Sequence, residues 1–148
     1  MAVLDILAFP NPRLRKKGVD VKKHENMRGV FKNMADTMYA NGGVGLAAPQ
    51  IGISKNLIIF DPSDDMSNLT EMVNPIIKAK DGEVYTNEGC LSVPDIRARI
   101  KRSKNIKVKY NNLEGDTITK DFGGMSSICI QHEIDHLKGK LIIDYIAS

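Results

Sequence analysis

The sequence predicts an α+β domain in which antiparallel β-strands pack around a central C-terminal helix. Three observations carry that expectation. An apolar stripe at helical spacing precedes Tyr39, short β-branched and alternating runs fill the middle of the chain, and a second helical pattern near the end holds His132-Glu133-Ile134-Asp135-His136. The 148 residues fit one compact domain, 1–148, with a single hydrophobic core. Apolar residues at 42% and charged residues at 26% lie near ordinary globular usage, which excludes the composition of a disordered chain.

Taken in order, Asn11 before Pro12 reads as an N-cap and first helical position, opening a short turn over Arg13 to Lys16. The first long helix is expected between about Glu25 and Tyr39. Met27, Val30, Phe31, Met34 and Met38 recur there at three- and four-residue spacing, a core-facing stripe that Gly42 and Gly43 end. Asn56 to Phe60 is a continuous apolar run suited to a buried strand, and Met72-Val73 with Ile76-Ile77 suggests another, interrupted at Pro75. A probable strand leads into Cys90. Ile106 to Tyr110 alternates apolar and polar residues, and Ile118 lies in a similar stretch beyond the turn-like Asn111 to Asp116, which predicts a hairpin with one buried face. The last helix runs from Gly124 or Met125 to about Lys138, with Gly139 as its C-terminal cap.

No apolar run approaches the length that spans a bilayer, and the opening residues from Met1 lack a basic segment followed by a long apolar one, so a cytoplasmic protein with no membrane partner is expected. Cys90 and Cys129 are too few for a disulfide framework and need separate explanations. The net charge of +3 is concentrated in Arg13 to Lys23 and Arg97 to Lys109. No aromatic residues interleave with these charges, so they read as solvated strand and loop faces rather than a specific nucleic-acid footprint.

His132 and His136, four residues apart, project from one helical face and can reach one metal ion, while Glu133 beside them can reach a water at that ion. Met125, Cys129, His132 and His136 share a stripe, which turns the histidines inward; Ser127, Gln131, Asp135 and Lys138 form the polar face. A divalent metal needs a further protein ligand. Cys90, in Glu88-Gly89-Cys90-Leu91-Ser92, is the candidate, whereas Cys129 reads as core packing, inert because burial raises its thiol pKa. Gly43 to Gln50 (GVGLAAPQ) is a run of small residues ending in an amide. It lacks the Lys-Ser/Thr of a phosphate loop and the third glycine of a dinucleotide fingerprint, but its backbone can approach a ligand and its glutamine can donate to an oxyanion.

GVGLAAPQ, EGCLS and QHEIDH, in this order and at these separations, resemble the motifs of the peptide deformylase family. The resemblance extends to the opening PNPRLRKK, the Met34 to Tyr39 segment and the closing HLKGKLIIDYI. It implies hydrolysis of the N-formyl group from the N-terminal formylmethionine of nascent polypeptides, releasing formate. It also implies that Cys90, His132 and His136 bind one divalent metal, ferrous iron in the cell with zinc or nickel as substitutes. Glu133 is implied as general base and then acid, and Gln50 with the Leu91 N–H as stabilisers of the formyl oxygen. Val44, Gly45 and Gly89 are implied to pair with the substrate backbone, and the methionine side chain to enter a pocket of Val44, Met125, Ile128, Cys129 and His132.

The sequence departs from the family at Gly42, where an acidic residue is common, and at Ser126-Ser127, where apolar residues or alanine are usual. It also stops at Ser148, where longer relatives continue into a helix associated with the ribosome, so transient ribosome proximity without tail-mediated docking is expected. Two rival readings fit less well. A zinc endopeptidase takes a third ligand from a downstream His or Glu, and none follows His136. A purely structural zinc site is closed by four protein ligands, and one cysteine with two histidines leaves a place open.

Overall fold

The computed structural model describes residues 2–23 and 25–146; Met1 and Ser148, on which the expectations about a leader and a shortened end rest, lie outside them. Among the described residues, seven strands form two sheets. Strands β1 (Gly45–Ala47), β2 (Leu57–Phe60), β3 (Thr70–Asp81), β6 (Asn105–Asn111) and β7 (Thr117–Gly123) make a five-stranded sheet in the order β1-β2-β3-β6-β7, and β4 (Val84–Cys90) pairs with β5 (Val93–Arg102) in a two-stranded sheet. All of these pairings are antiparallel. Helix α1 (Arg28–Ala40) covers one face of the larger sheet, α2 (Gly124–Leu137) the other, and the short α3 (Ile143–Ile146) packs on the β4-β5 hairpin.

The β2 run is apolar throughout because both of its faces are covered. Leu57 and Ile59 join Phe31, Met34 and Met38 of α1, while Ile58 and Phe60 join Ile130, Ile134 and Leu137 of α2. Complete burial of each such side chain contributes about 1.5–3 kcal/mol, so the two helices fasten the sheet from both sides. Strand β6 is covered on one face only, and its alternation follows: Ile106, Val108 and Tyr110 are buried, and Lys107 and Lys109 face outward.

Four expectations are corrected. Helix α1 begins at Arg28 rather than Glu25, because the Glu25 carboxylate accepts from the Lys22 N–H and pairs with Lys55 at 2.9 Å, which ties the preceding segment to the stretch just before β2. The turn after Asn11 is a 3-10 helix over Pro12–Arg15, capped by Asn11 as expected. Strand β3 is continuous through Pro75. The register slips between Val73 and Ile76, so the missing proline N–H falls where no ladder bond is required. The fourth concerns α2, whose polar side is not a solvated face: Ser127 and Gln131 are buried and bonded to the Ser103 backbone, whereas Met125 is 57% exposed. Gly139 does end the helix. Its φ of +75° and the Arg15 carbonyl 2.4 Å from where a Cβ would stand leave room for glycine alone. No helix among the described residues is long and apolar enough to cross a membrane.

Candidate metal centre

Three parts of the chain converge at one end of α2. The β4 strand delivers Cys90 after a register slip between Glu88 and Cys90, and Leu91 and Ser92 turn the chain directly into β5. The segment after β1 forms a 3-10 turn over Ala48–Ile51 that carries Gln50, and α2 brings His132, Glu133 and His136. One ligand atom from each of Cys90, His132 and His136 lies within 4.8 Å of the other two, the one such group of three among the described residues. Cys90 Sγ stands 3.3 Å from His136 Nε2.

The surrounding side chains fix this set in place. His132 Nδ1 donates to Glu88 Oε1 at 2.9 Å, so its other ring nitrogen is left for the centre. Glu88 in turn takes two bonds from Arg102, at 2.7 and 2.8 Å, and Arg102 donates to Asp135 Oδ2 at 2.8 Å. Burial works against the charge on Glu88, but the bonds from Arg102, His132 and Thr86 outweigh it and hold the carboxyl well below its usual range. Gln50 is almost wholly buried. Its Oε1 accepts from the Ala47 N–H at 2.9 Å, and its Nε2 therefore turns toward Ser92 Oγ, at 3.0 Å, and Cys90 Sγ, at 3.7 Å.

Glu133 lies beneath the edge strand. A Cβ on Gly45 would stand 2.4 Å from Glu133 Oε2, so a glycine backbone is what lets β1 pass this close. Burial lifts the Glu133 carboxyl to about 7, a rise that the nearby His132 and Arg102 moderate. His132 is largely enclosed, which lowers its pKa, yet Glu133, Cys90 and Glu88 outweigh that and raise it well above the ordinary value. His136 is pushed well below it by burial and by His132. Glu133 Oε1 is buried without a hydrogen-bond partner, as expected of a group that meets a ligand of the site; His136 Nδ1 is also buried without one, but it is Nε2 that faces Cys90.

A cleft of about 670 Å³ opens over this centre. Val44, half exposed, and Gly45 line it from the β1 side, Gly89 and Leu91 from the β4-β5 side, and Met125, Ile128 and Cys129 from the first turns of α2. All the residues expected at the site therefore meet here, with His136 at the buried base. Cys129 behaves as packing: burial, aided by Glu133 and Glu88, pushes its thiol up to about 12. Sequence reasoning missed Arg102, which it placed in a solvated basic cluster and which is 5% exposed, and it assigned no part to Glu88. The signal was available, because Ala98, Ile100 and Arg102 alternate with Arg97, Arg99 and Lys101, and an inward-facing arginine requires acidic partners.

A family model described as polypeptide deformylase matches residues 3–148. The chain is 43% identical over 148 residues to the peptide deformylase of Baumannia cicadellinicola, covering 99% of this chain and 89% of that one. Among solved structures, the peptide deformylase of Legionella pneumophila superposes with a TM-score of 0.92 at 40% identity, covering 97% of this chain and 86% of that one. The enzyme of Thermotoga maritima superposes with a TM-score of 0.91 at 41% identity, covering 98% of each chain.

Proposed function

The chain belongs to the polypeptide deformylase family and removes the formyl group from N-formylmethionyl nascent peptides in a metal-dependent hydrolysis, and from that premise we propose which residues perform each part. Cys90, His132 and His136 hold one divalent cation per chain. The observation that carries this reading is the convergence of one thiol and two imidazoles within 4.8 Å, beside a buried carboxyl with an unpartnered oxygen. Three protein donors leave a coordination place open, the arrangement of a catalytic site rather than a closed structural one. When bound, the cation supplies Lewis acidity and makes water acidic enough to yield a nucleophile at neutral pH. Ferrous iron is the native ion in this reading, and zinc or nickel suits the same donors.

Glu133 accepts the proton of the attacking water and delivers it to the departing amine. Glu133 is 4% exposed, so a proton it takes is kept from solvent until it is returned. The Gln50 side-chain N–H, aimed by the Ala47 bond, and the Leu91 backbone N–H receive the formyl oxygen as it becomes anionic, and a donor of this kind is worth roughly 10²–10³ in rate. Val44, Gly45 and Gly89 pair with the extended peptide through main-chain groups. In support, β1 is an edge strand of the larger sheet, and the cleft separates it from β4. The methionine side chain enters the space bounded by Val44, Met125, Ile128, Cys129 and His132.

We take residues 1–148 as one catalytic domain acting in the cytoplasm, where formylated chains emerge. The basic residues at 13–23 and 97–109 give the ribosome a weak, salt-sensitive attraction to which Arg102, committed to Glu88 and Asp135, adds little. Metal analysis beside a formyl-methionyl peptide assay tests the assignment. Wild-type protein should hold one metal per chain and release formate, and Cys90→Ala should do neither. Stoichiometric metal in Cys90→Ala would overturn the ligand set.

A further inference from the structure

Tyr145 of α3 stands at the far end of a line of contacts that starts at His132. Both Glu88 oxygens are occupied, Oε1 by His132 and Arg102 and Oε2 by Arg102 and Thr86, so this carboxylate has one orientation. Arg102 is fixed from its other side: Nη1 donates to Asp135 Oδ2 at 2.8 Å and to the Tyr145 hydroxyl oxygen at 3.1 Å. The Tyr145 hydroxyl donates to the same Asp135 oxygen at 2.6 Å, and its ring lies 5.1 Å from the Arg102 guanidinium carbon and 4.0 Å from Lys140 Nζ. Helix α3 is itself fastened, because Asp144 pairs with Arg15 through both carboxylate oxygens.

We propose that Tyr145 is a positioning residue for the metal centre, its hydroxyl locking the Arg102–Asp135 pair and, through Glu88, the angle of the His132 ring. The proposal rests on the reading of His132 as a ligand. Arg102 and Glu88 are buried, Asp135, Tyr145 and His132 partly so, and each link is two-pronged or shares an atom with the next, so a rotation at Arg102 has little slack in which to dissipate before it reaches the imidazole. Without the hydroxyl, Asp135 loses a donor and Arg102 loses an acceptor. The ring stays to fill the space. Partners of this kind behind a metal-ligating histidine typically cost 10–100-fold in metal affinity when altered, and about tenfold is expected three links away.

The test uses the full chain with cobalt(II) as probe, measuring affinity by chelator competition and the ligand-field spectrum of the bound ion. Wild type, Tyr145→Phe, Glu88→Gln, the double variant and His132→Ala are compared. Tyr145→Phe should bind about tenfold more weakly with a shifted spectrum, and the same substitution should change little further when Glu88 is already Gln. Wild-type affinity and spectrum in Tyr145→Phe, or an equal loss in both backgrounds, overturns the proposal. If Tyr145→Phe does not fold, Asp135→Asn gives the same readout at constant volume, and an unchanged spectrum there overturns it as well. Wild-type affinity in His132→Ala overturns the ligand reading instead, which separates the two failures.

Discussion

Helices α1 and α2 lie on opposite faces of one sheet and are buried on different terms. In α1 the buried positions, Phe31, Met34, Thr37 and Met38, form a single stripe, and all but one are apolar. In α2 they run around the helix and include Ser127, Gln131, Glu133 and His136. A buried polar group is costly unless bonded. Ser127 and Gln131 are satisfied by Ser103, and Glu133 keeps an unpartnered oxygen at the candidate centre; on α1 the unpartnered atom is Asp36 Oδ2, away from that centre's residues. One helix is shaped by packing and the other by chemistry, and the difference shows in which residues are drawn inside, apolar ones on α1 and a glutamate and a histidine on α2.

That contrast can be broken by substitution. The largest effect is expected from His136→Ala, which should abolish both stoichiometric metal and formate release while the protein remains folded by circular dichroism. Next, Phe31→Ala should destabilise the fold by about 3–5 kcal/mol in urea titration. Its folded fraction should keep full metal content and turnover, and loss of metal in that fraction would erase the distinction between the helices.

Glu133→Gln should retain metal and hydrolyse formyl-Met peptides at least ~100-fold more slowly. The same variant sharpens the comparison through pH. In metal-free protein the Glu133 carboxyl is raised from 4.5 to about 7, so the native state binds more protons than the unfolded chain in that window. The stability Glu133 contributes is therefore complete below it and lost as pH rises through it. Thermal melts should show Glu133→Gln gaining on wild type as pH increases across this range, and a constant difference would mean that the carboxyl is not held protonated. The smallest effect is expected from Cys129→Ala, a loss of about 1 kcal/mol with metal content and kcat intact and any change confined to the KM for the methionine side chain it borders.

The elements read correctly from sequence were those whose burial has one period. Helix α1, β2 and the β6-β7 hairpin follow their apolar residues, and the HEIDH spacing located both histidines. Strand β5 was hidden because charge dominates it: Arg97, Arg99, Lys101 and Arg102 outweigh Ala98 and Ile100 by eye, and only the register reveals that Arg102 faces inward. The polar side of α2 misled for the related reason that burial there depends on partners from β4, β5 and α3. A pattern confined to one helix does not contain them. Gln50 was legible as an amide near a ligand, but the direction in which it points depends on the Ala47 N–H and on Ser92, forty-two residues away.

The clasp between Arg15 and Asp144 bears on the order in which the protein comes into being. Arg15 meets Asp144 across 129 positions, and Cys90 meets His136 across 46. As the polypeptide leaves the ribosome, α1 and β1 to β3 can pair early, but α2 reaches the sheet only after all seven strands have been synthesised. Until then the segment before α1 has no Gly139 carbonyl to bind, and Cys90 has no imidazoles to join. Metal capture thus waits until α2 has emerged, and a chain lacking His132 and His136 is inactive however well its first hundred residues have folded.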